Sequence, residues 1–124
     1  MSCAILIVED DGELQELYIA MLESVDCEII QAYDGVDALE KLAETTPDLI
    51  ILDLLLDEMM GDEFLLDIRQ KSQYTGIPVI IVSVLPIERC QHLLDGDPKT
   101  VFLRKPFRRR QLLDVVEECL AKRA

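Results

Sequence analysis

Tryptophan is missing from this chain, and tyrosine and phenylalanine together make up only 5% of it. The interior must therefore be built from aliphatic side chains. Histidine occurs once, at His92, and Cys3, Cys27, Cys90 and Cys119 stand far apart without a C-x-x-C pair. That spacing gives little support to a zinc site or a thioredoxin-like centre, and four structural thiols are expected. The five glycines are isolated, which excludes a G-x-G-x-x-G nucleotide cradle. No apolar run approaches the roughly 18 residues of a membrane span, and no charged-then-apolar leader opens the chain, so a cytoplasmic protein is expected. Basic residues are also scarce. Twelve Lys and Arg against 25 Asp and Glu leave a net charge of −13, which opposes attraction to nucleic acid or anionic membrane and favours cations and basic partners.

What is present is 124 residues, half of them apolar, enough for one domain with one core. Five short apolar stretches read as strands: Ala4 to Val8, Glu28 to Ala32, Leu49 to Leu52, Val79 to Val82 and Val101 to Leu103. They alternate with helical spacing. The first helix carries Leu14, Leu17, Tyr18, Met21, Leu22 and Val25 after an Asp11 cap, and the second carries Val36, Leu39, Leu42 and Ala43 after Asp34-Gly35. A third begins near Asp62, after Gly61, with Phe64, Leu65 and Ile68 inward. A short fourth follows Pro86 and stops at Gly96, and the last uses Leu112, Leu113, Val116, Cys119 and Leu120. Strands that are apolar throughout, each followed by a helix, predict a parallel sheet covered on both faces. Right-handed crossovers then give a doubly wound, five-stranded α/β fold of order 2-1-3-4-5, with a crevice outside the carboxyl ends of strands 1 and 3.

Asp53 ends the third strand, and Glu9, Asp10 and Asp11 follow the first directly. In that topology Glu9, Asp10 and Asp53 converge. Carboxylates within about 4 Å repel by roughly 4 kcal/mol per pair at an effective dielectric near 20, so the cluster needs a cation or a proton. All-oxygen ligands suit Mg²⁺. A solvated acidic loop would also account for Glu9 to Asp11 taken alone. Ser83 and Lys105, at the ends of the fourth and fifth strands, supply a hydroxyl and an ammonium to the same crevice. Together these groups fit a multiply charged phosphoryl group.

ILIVEDD at Ile5 to Asp11, LDLLLDEMMG with Asp53 and Gly61, VIIVS ending at Ser83 and FLRKPF with Lys105-Pro106 resemble the receiver domain of two-component response regulators. The likeness spans nearly the whole chain, with 30 residues from Asp53 to Ser83 and 22 from Ser83 to Lys105. The resemblance implies that Asp53 accepts a phosphoryl group from a histidine kinase or phosphotransfer protein. It implies Mg²⁺ on Glu9, Asp10, Asp53 and the main-chain carbonyl of Leu55. It also implies that Ser83 senses the phosphoryl group, Lys105 contacts it, and the Phe102 rotamer follows activation. The output would be a downstream protein partner. In the family's members the face of the fourth helix, fifth strand and fifth helix is the signalling surface, and a homodimer through that face is a further expectation.

The chain departs from the family pattern at several positions. Asp57 replaces the usual proline and Val84 a small residue. Leu55 and Leu85 are apolar where relatives govern water access, so slow hydrolysis of the phosphorylated form is expected. Arg108-Arg109-Arg110 set positive charge at the positive end of the last helix, either for an acidic partner or as a solvated first turn. A receiver occupying residues 1–124 and signalling by itself is the leading reading, with no DNA-binding or enzymatic segment after Ala124. The alternative is a phosphorylation-independent interaction module. An aspartate-nucleophile hydrolase is disfavoured, because D-x-D would need an acid at Leu55. No enzymatic turnover is expected beyond the chain's own phosphorylation and dephosphorylation.

Overall fold

A computed structural model describes residues 3–54 and 60–122. Five strands, β1 (Ala4–Val8), β2 (Glu28–Ala32), β3 (Leu49–Asp53), β4 (Val79–Ser83) and β5 (Thr100–Arg104), form one parallel sheet of order β2-β1-β3-β4-β5. Between them run α1 (Gly12–Met21), α2 (Gly35–Glu44), α3 (Met60–Arg69) and α4 (Gln91–Leu94), and α5 (Arg109–Ala121) closes the domain. The expected doubly wound architecture is the one observed.

Alternation along each strand divides the core in two. Leu6 and Val8 of β1 face α2 and α3, packing with Ala38, Leu42, Phe64, Leu65 and Ile68. Ile5 and Ile7 face the other way, toward Tyr18 and Leu22 of α1 and Leu112 and Val116 of α5. Strands β1, β3 and β4 are buried at every position, which is why they read as continuous apolar runs. Caps fix the helix starts. Asp11 accepts from the amides of Glu13 and Leu14, and Asp34 accepts from the amide of Asp37. Gly96, at φ 73°, takes the left-handed conformation that stops α4.

The helix faces differ in detail from their spacing. In α1, Leu17 is 49% exposed and Gln15 is fully buried instead. In α2, Val36 and Ala43 are exposed while Ala38 faces the sheet. Helix α3 begins at Met60, so Gly61 lies inside its first turn rather than before it. The fourth segment is a single 3-10 turn, Ile87–Arg89, followed by the one-turn α4.

The expectation of four thiols is corrected. Cys3 and Cys27 form a disulfide with Cα atoms 4.5 Å apart, within the normal span. They immediately precede Ala4 and Glu28, which are register partners in β1 and β2, and the Glu28 amide donates to Cys3 O at 2.8 Å. Strand pairing, which spacing does not reveal, brings the two sulfurs together. Cys90 and Cys119 are buried and lie outside the disulfide, and burial pushes the Cys119 thiol up to about 11.

The opposite end of the sheet is tied by Arg69. Its guanidinium donates to Asp97 Oδ2 at 2.8 Å, to the carbonyls of Tyr74, Thr75 and Ile77, and to Thr100 Oγ1. Burial alone would raise the Asp97 carboxyl. The Thr100 hydroxyl, the Arg69 charge and the Lys99 amide outweigh it, and the group is held below its ordinary value of 3.8.

Two outcomes follow. Alkylation of the unfolded but unreduced protein, read by intact mass, should modify Cys90 and Cys119 and spare Cys3 and Cys27. Asp97→Asn should lower stability to denaturant at pH 7 by about 1–3 kcal/mol. Because the folded-state value is depressed, the Asp97 contribution is complete above the unfolded value and is lost as pH falls through the folded one. The gap between variant and parent should therefore close in acid.

Candidate functional site

The parallel register brings the carboxyl ends of the central strands to one level: Val8 pairs with Leu52, Asp53 with Val82 and Ser83 with Arg104. Asp53, Glu9, Ser83 and Lys105 are therefore delivered to one crevice by strands whose apolar residues leave no freedom to slip.

Asp53 is the centre of the group. Its side chain is 1% exposed and pairs with Lys105 Nζ at 2.7 Å through Oδ2 and 2.9 Å through Oδ1. Lys105 is itself held, because its amide donates to Ser83 O at 2.8 Å. A third donor was not anticipated. The Tyr18 hydroxyl reaches across from α1 and donates to Asp53 Oδ2 at 2.8 Å. Burial, and then the Asp53 charge, push the tyrosine's pKa far above its ordinary value, so it is a neutral donor.

Glu9 is 2% exposed. One oxygen accepts the Asp11 amide at 2.8 Å, while Oε1 is enclosed and accepts no hydrogen bond. Burial and then Asp53 push its carboxyl up to about 8, with Asp10 adding to the effect and the Asp11 amide opposing it. Asp53 and Asp10 thus lie near enough to raise the Glu9 carboxyl, and a proton or a cation relieves such a grouping of acids. Asp10 itself is exposed. Among the described residues no three acidic, histidine or cysteine side chains are grouped to hold an ion unaided. Leu55 and Asp57 lie outside the described residues.

Gln15 is a second unanticipated residue. Its Nε2 donates to the carbonyls of Ile7, Glu9 and Ala32 at 3.1, 3.1 and 2.9 Å, joining the ends of β1 and β2 to α1. Neither Tyr18 nor Gln15 belongs to a motif. The only signal was a polar atom on the inward stripe of an amphipathic helix, which for Gln15 the spacing did not identify as inward.

Other residues occupy quieter positions. Ser83 is fully buried and its Oγ accepts the Leu85 amide at 3.0 Å. Phe102 and Leu85 are half-buried against the core face that holds α2, α3 and α4, and Val84 is 46% exposed. Arg109 donates to Met21 O and Ser24 Oγ, fastening α5 to the end of α1, and Arg110 pairs with Asp114 and Glu117. The Arg108 amide donates to Gln111 Oε1. Two of the three guanidinium groups therefore have partners within the chain.

Comparison with known proteins places this geometry. The family model described as "Response regulator receiver domain" matches residues 5–117. The sensor histidine kinase TmoS of Ectopseudomonas mendocina is 33% identical over 87% of the chain, which spans only 11% of TmoS. Protein PilG of Pseudomonas aeruginosa is 27% identical over 91% of the chain and 84% of its own length. Among solved structures, Vibrio cholerae chemotaxis protein CheY4 superposes with a TM-score of 0.84 at 26% identity, covering 96% of this chain and 99% of that one. The receiver domain of a putative LuxO repressor protein from Vibrio parahaemolyticus gives 0.85 at 28% identity, over 98% and 92%.

Replacing Gln15 by Leu leaves its three carbonyl partners short of a buried donor. The expected cost is about 1–3 kcal/mol, measured by chemical denaturation, with faster amide exchange at Glu9 and Asp10.

Proposed function

The chain belongs to the response regulator receiver domain family, and on that premise we propose that Asp53 is its phosphoacceptor in a two-component signalling pathway, fed by a histidine kinase or phosphotransfer protein. The single observation carrying this is the enclosed Asp53 carboxylate, fixed by Lys105 and bordered by a second buried acid, Glu9. A structural ion pair needs only the first two of these groups. The adjoining acid holds the Asp11 amide through one oxygen and leaves the other enclosed without a partner, and that second oxygen gains a purpose where a cation and a phosphoryl group are to be bound.

The buried carboxylate oxygens suit Mg²⁺, which needs only one or two carboxylates and keeps several waters. Glu9 Oε1 is enclosed without a partner and its carboxyl is pushed upward by burial and by neighbouring acids, as oxygen ligands awaiting a cation should be. Glu9, Asp10 and Asp53 would hold the ion with the Leu55 carbonyl, and its chemistry there is to neutralise carboxylate and phosphoryl charge. The protein's own groups do the rest. An Asp53 oxygen bonds to phosphorus as the phosphorus–nitrogen bond of a phosphohistidine breaks. The imidazole departs with the electron pair and takes up a proton. Lys105, already within 2.9 Å of both oxygens, stays beside the charge as it spreads onto phosphoryl oxygens. The Ser83 hydroxyl, now used only by its own loop, is free to rotate toward the new group. Since the Lys105 amide hangs on Ser83 O, a shift of one strand end carries to the other. Phe102 lies on β5 between them and α4.

Residues 1–124 act in this reading as one receiver domain. Its output is a protein contact on the α4–β5–α5 face, where a second receiver also pairs. No described helix is long and apolar enough to cross a membrane.

Incubation with acetyl phosphate and Mg²⁺ should add one phosphate by intact mass, and Asp53→Ala should add none. Label on both would move the acceptor elsewhere. Label on neither protein would favour phosphorylation-independent binding.

A further inference from the structure

The phosphoacceptor carries one hydrogen bond that the transfer reaction does not call for. Lys105 and Tyr18 both donate to Asp53 Oδ2, at 2.7 and 2.8 Å. An ionised carboxylate oxygen has about two good acceptor directions, so Oδ2 is fully engaged. Its partner Oδ1 accepts from Lys105. We propose that Tyr18 restrains the acceptor, its hydroxyl holding Asp53 in a low-reactivity resting form that must be given up for phosphate to be accepted. This rests on the phosphoacceptor reading above.

The direction of the effect comes from charge. When acetyl phosphate is the donor, an Asp53 oxygen forms a bond to phosphorus, the bond between phosphorus and the acetyl oxygen breaks, and acetate leaves with the electron pair. Along that path the carboxylate loses negative charge. A hydrogen bond to an ionised acceptor is about twice as strong as one between neutral groups, so the Tyr18 bond is strongest before reaction and weaker in the transition state. Interactions stronger in the ground state raise the barrier. Attack through Oδ2 would require the hydroxyl to leave altogether. Attack through Oδ1 would still weaken it.

The ring is placed so that the restraint can be both firm and released. On one side Tyr18 is 3% exposed and stacks on Phe107, with centroids 6.3 Å apart and planes at 27°. This joins α1 to the segment after Lys105. Tyr18, Lys105 and Phe107 also line an apolar cleft of about 230 Å³ with Leu14, Leu17, Met21 and Pro106, which leaves open space beside the ring. A hydroxyl serving only to satisfy itself would need any carbonyl. Here its acceptor is the carboxylate at the centre of the chemistry.

The test is Tyr18→Phe, which keeps the ring and its packing and removes one oxygen. Labelling by acetyl phosphate with Mg²⁺ should be faster than in the parent by about fivefold, the consequence of losing roughly 1 kcal/mol of ground-state stabilisation. An equal or slower rate overturns the inference while leaving Asp53 as the acceptor, provided the parent takes label that Asp53→Ala lacks. Label on Tyr18→Phe alone supports it. No label on either removes the inference together with the reading beneath it. Should the variant fail to fold, tyrosine emission of the parent decides. With no tryptophan in the chain, release of Tyr18 from a quenching carboxylate should raise emission on phosphorylation, and unchanged emission counts against the inference.

Discussion

A carboxylate that is 1% exposed at the end of an apolar strand cannot stay ionised without compensation, and the site end of the molecule is arranged around that constraint. Desolvation makes each neighbour consequential. Lys105 is supplied by β5, Tyr18 by α1, and the competing acid Glu9 by β1, so three elements distant in sequence share one electrostatic problem. Parallel strands solve the delivery. Their registers are fixed by aliphatic side chains buried on both faces, and the positions that emerge at their ends are set by packing. The chemistry is thus prepaid by the core.

Sequence pattern exposed the fold because continuous apolar strands, caps at Asp11 and Asp34, and Gly96 are all local signals. It also pointed to Asp53 and Lys105, which pair in the structure, and to Glu9, whose carboxyl feels Asp53, since each stands at or just past the end of an apolar strand. It did not find Tyr18 or Gln15, whose roles depend on where a helix face lands relative to strand ends. Amphipathic spacing ranked Leu17 as core and overlooked Gln15, yet Leu17 is largely solvent-facing while Gln15 is sealed inside. A buried amide that meets three carbonyls takes the position ahead of a leucine because it adds a donor where the ends of β1 and β2 meet α1. The cysteines were misjudged for a related reason. Cys3 and Cys27 look unrelated along the chain, and only the adjacency of β1 and β2 makes them neighbours.

Tyr18 alters how the site is understood. Beside Lys105 it adds a neutral donor to the same Asp53 oxygen. Its ring bridges α1 and Phe107, so the surroundings of Asp53 are tied to the spacing between the helix and the Lys105 segment. Arg109 at the start of α5 reinforces that spacing from outside by gripping the end of α1.

The covalent staple between the entrances of β1 and β2 makes the sheet mechanically lopsided. One flank is stitched where its strands begin, while the flank formed by β4 and β5 has non-covalent ties and a one-turn α4 beside it. A disturbance born at the crevice therefore meets a stiff wall on the first side and a yielding one on the second, and its displacement is channelled toward β5.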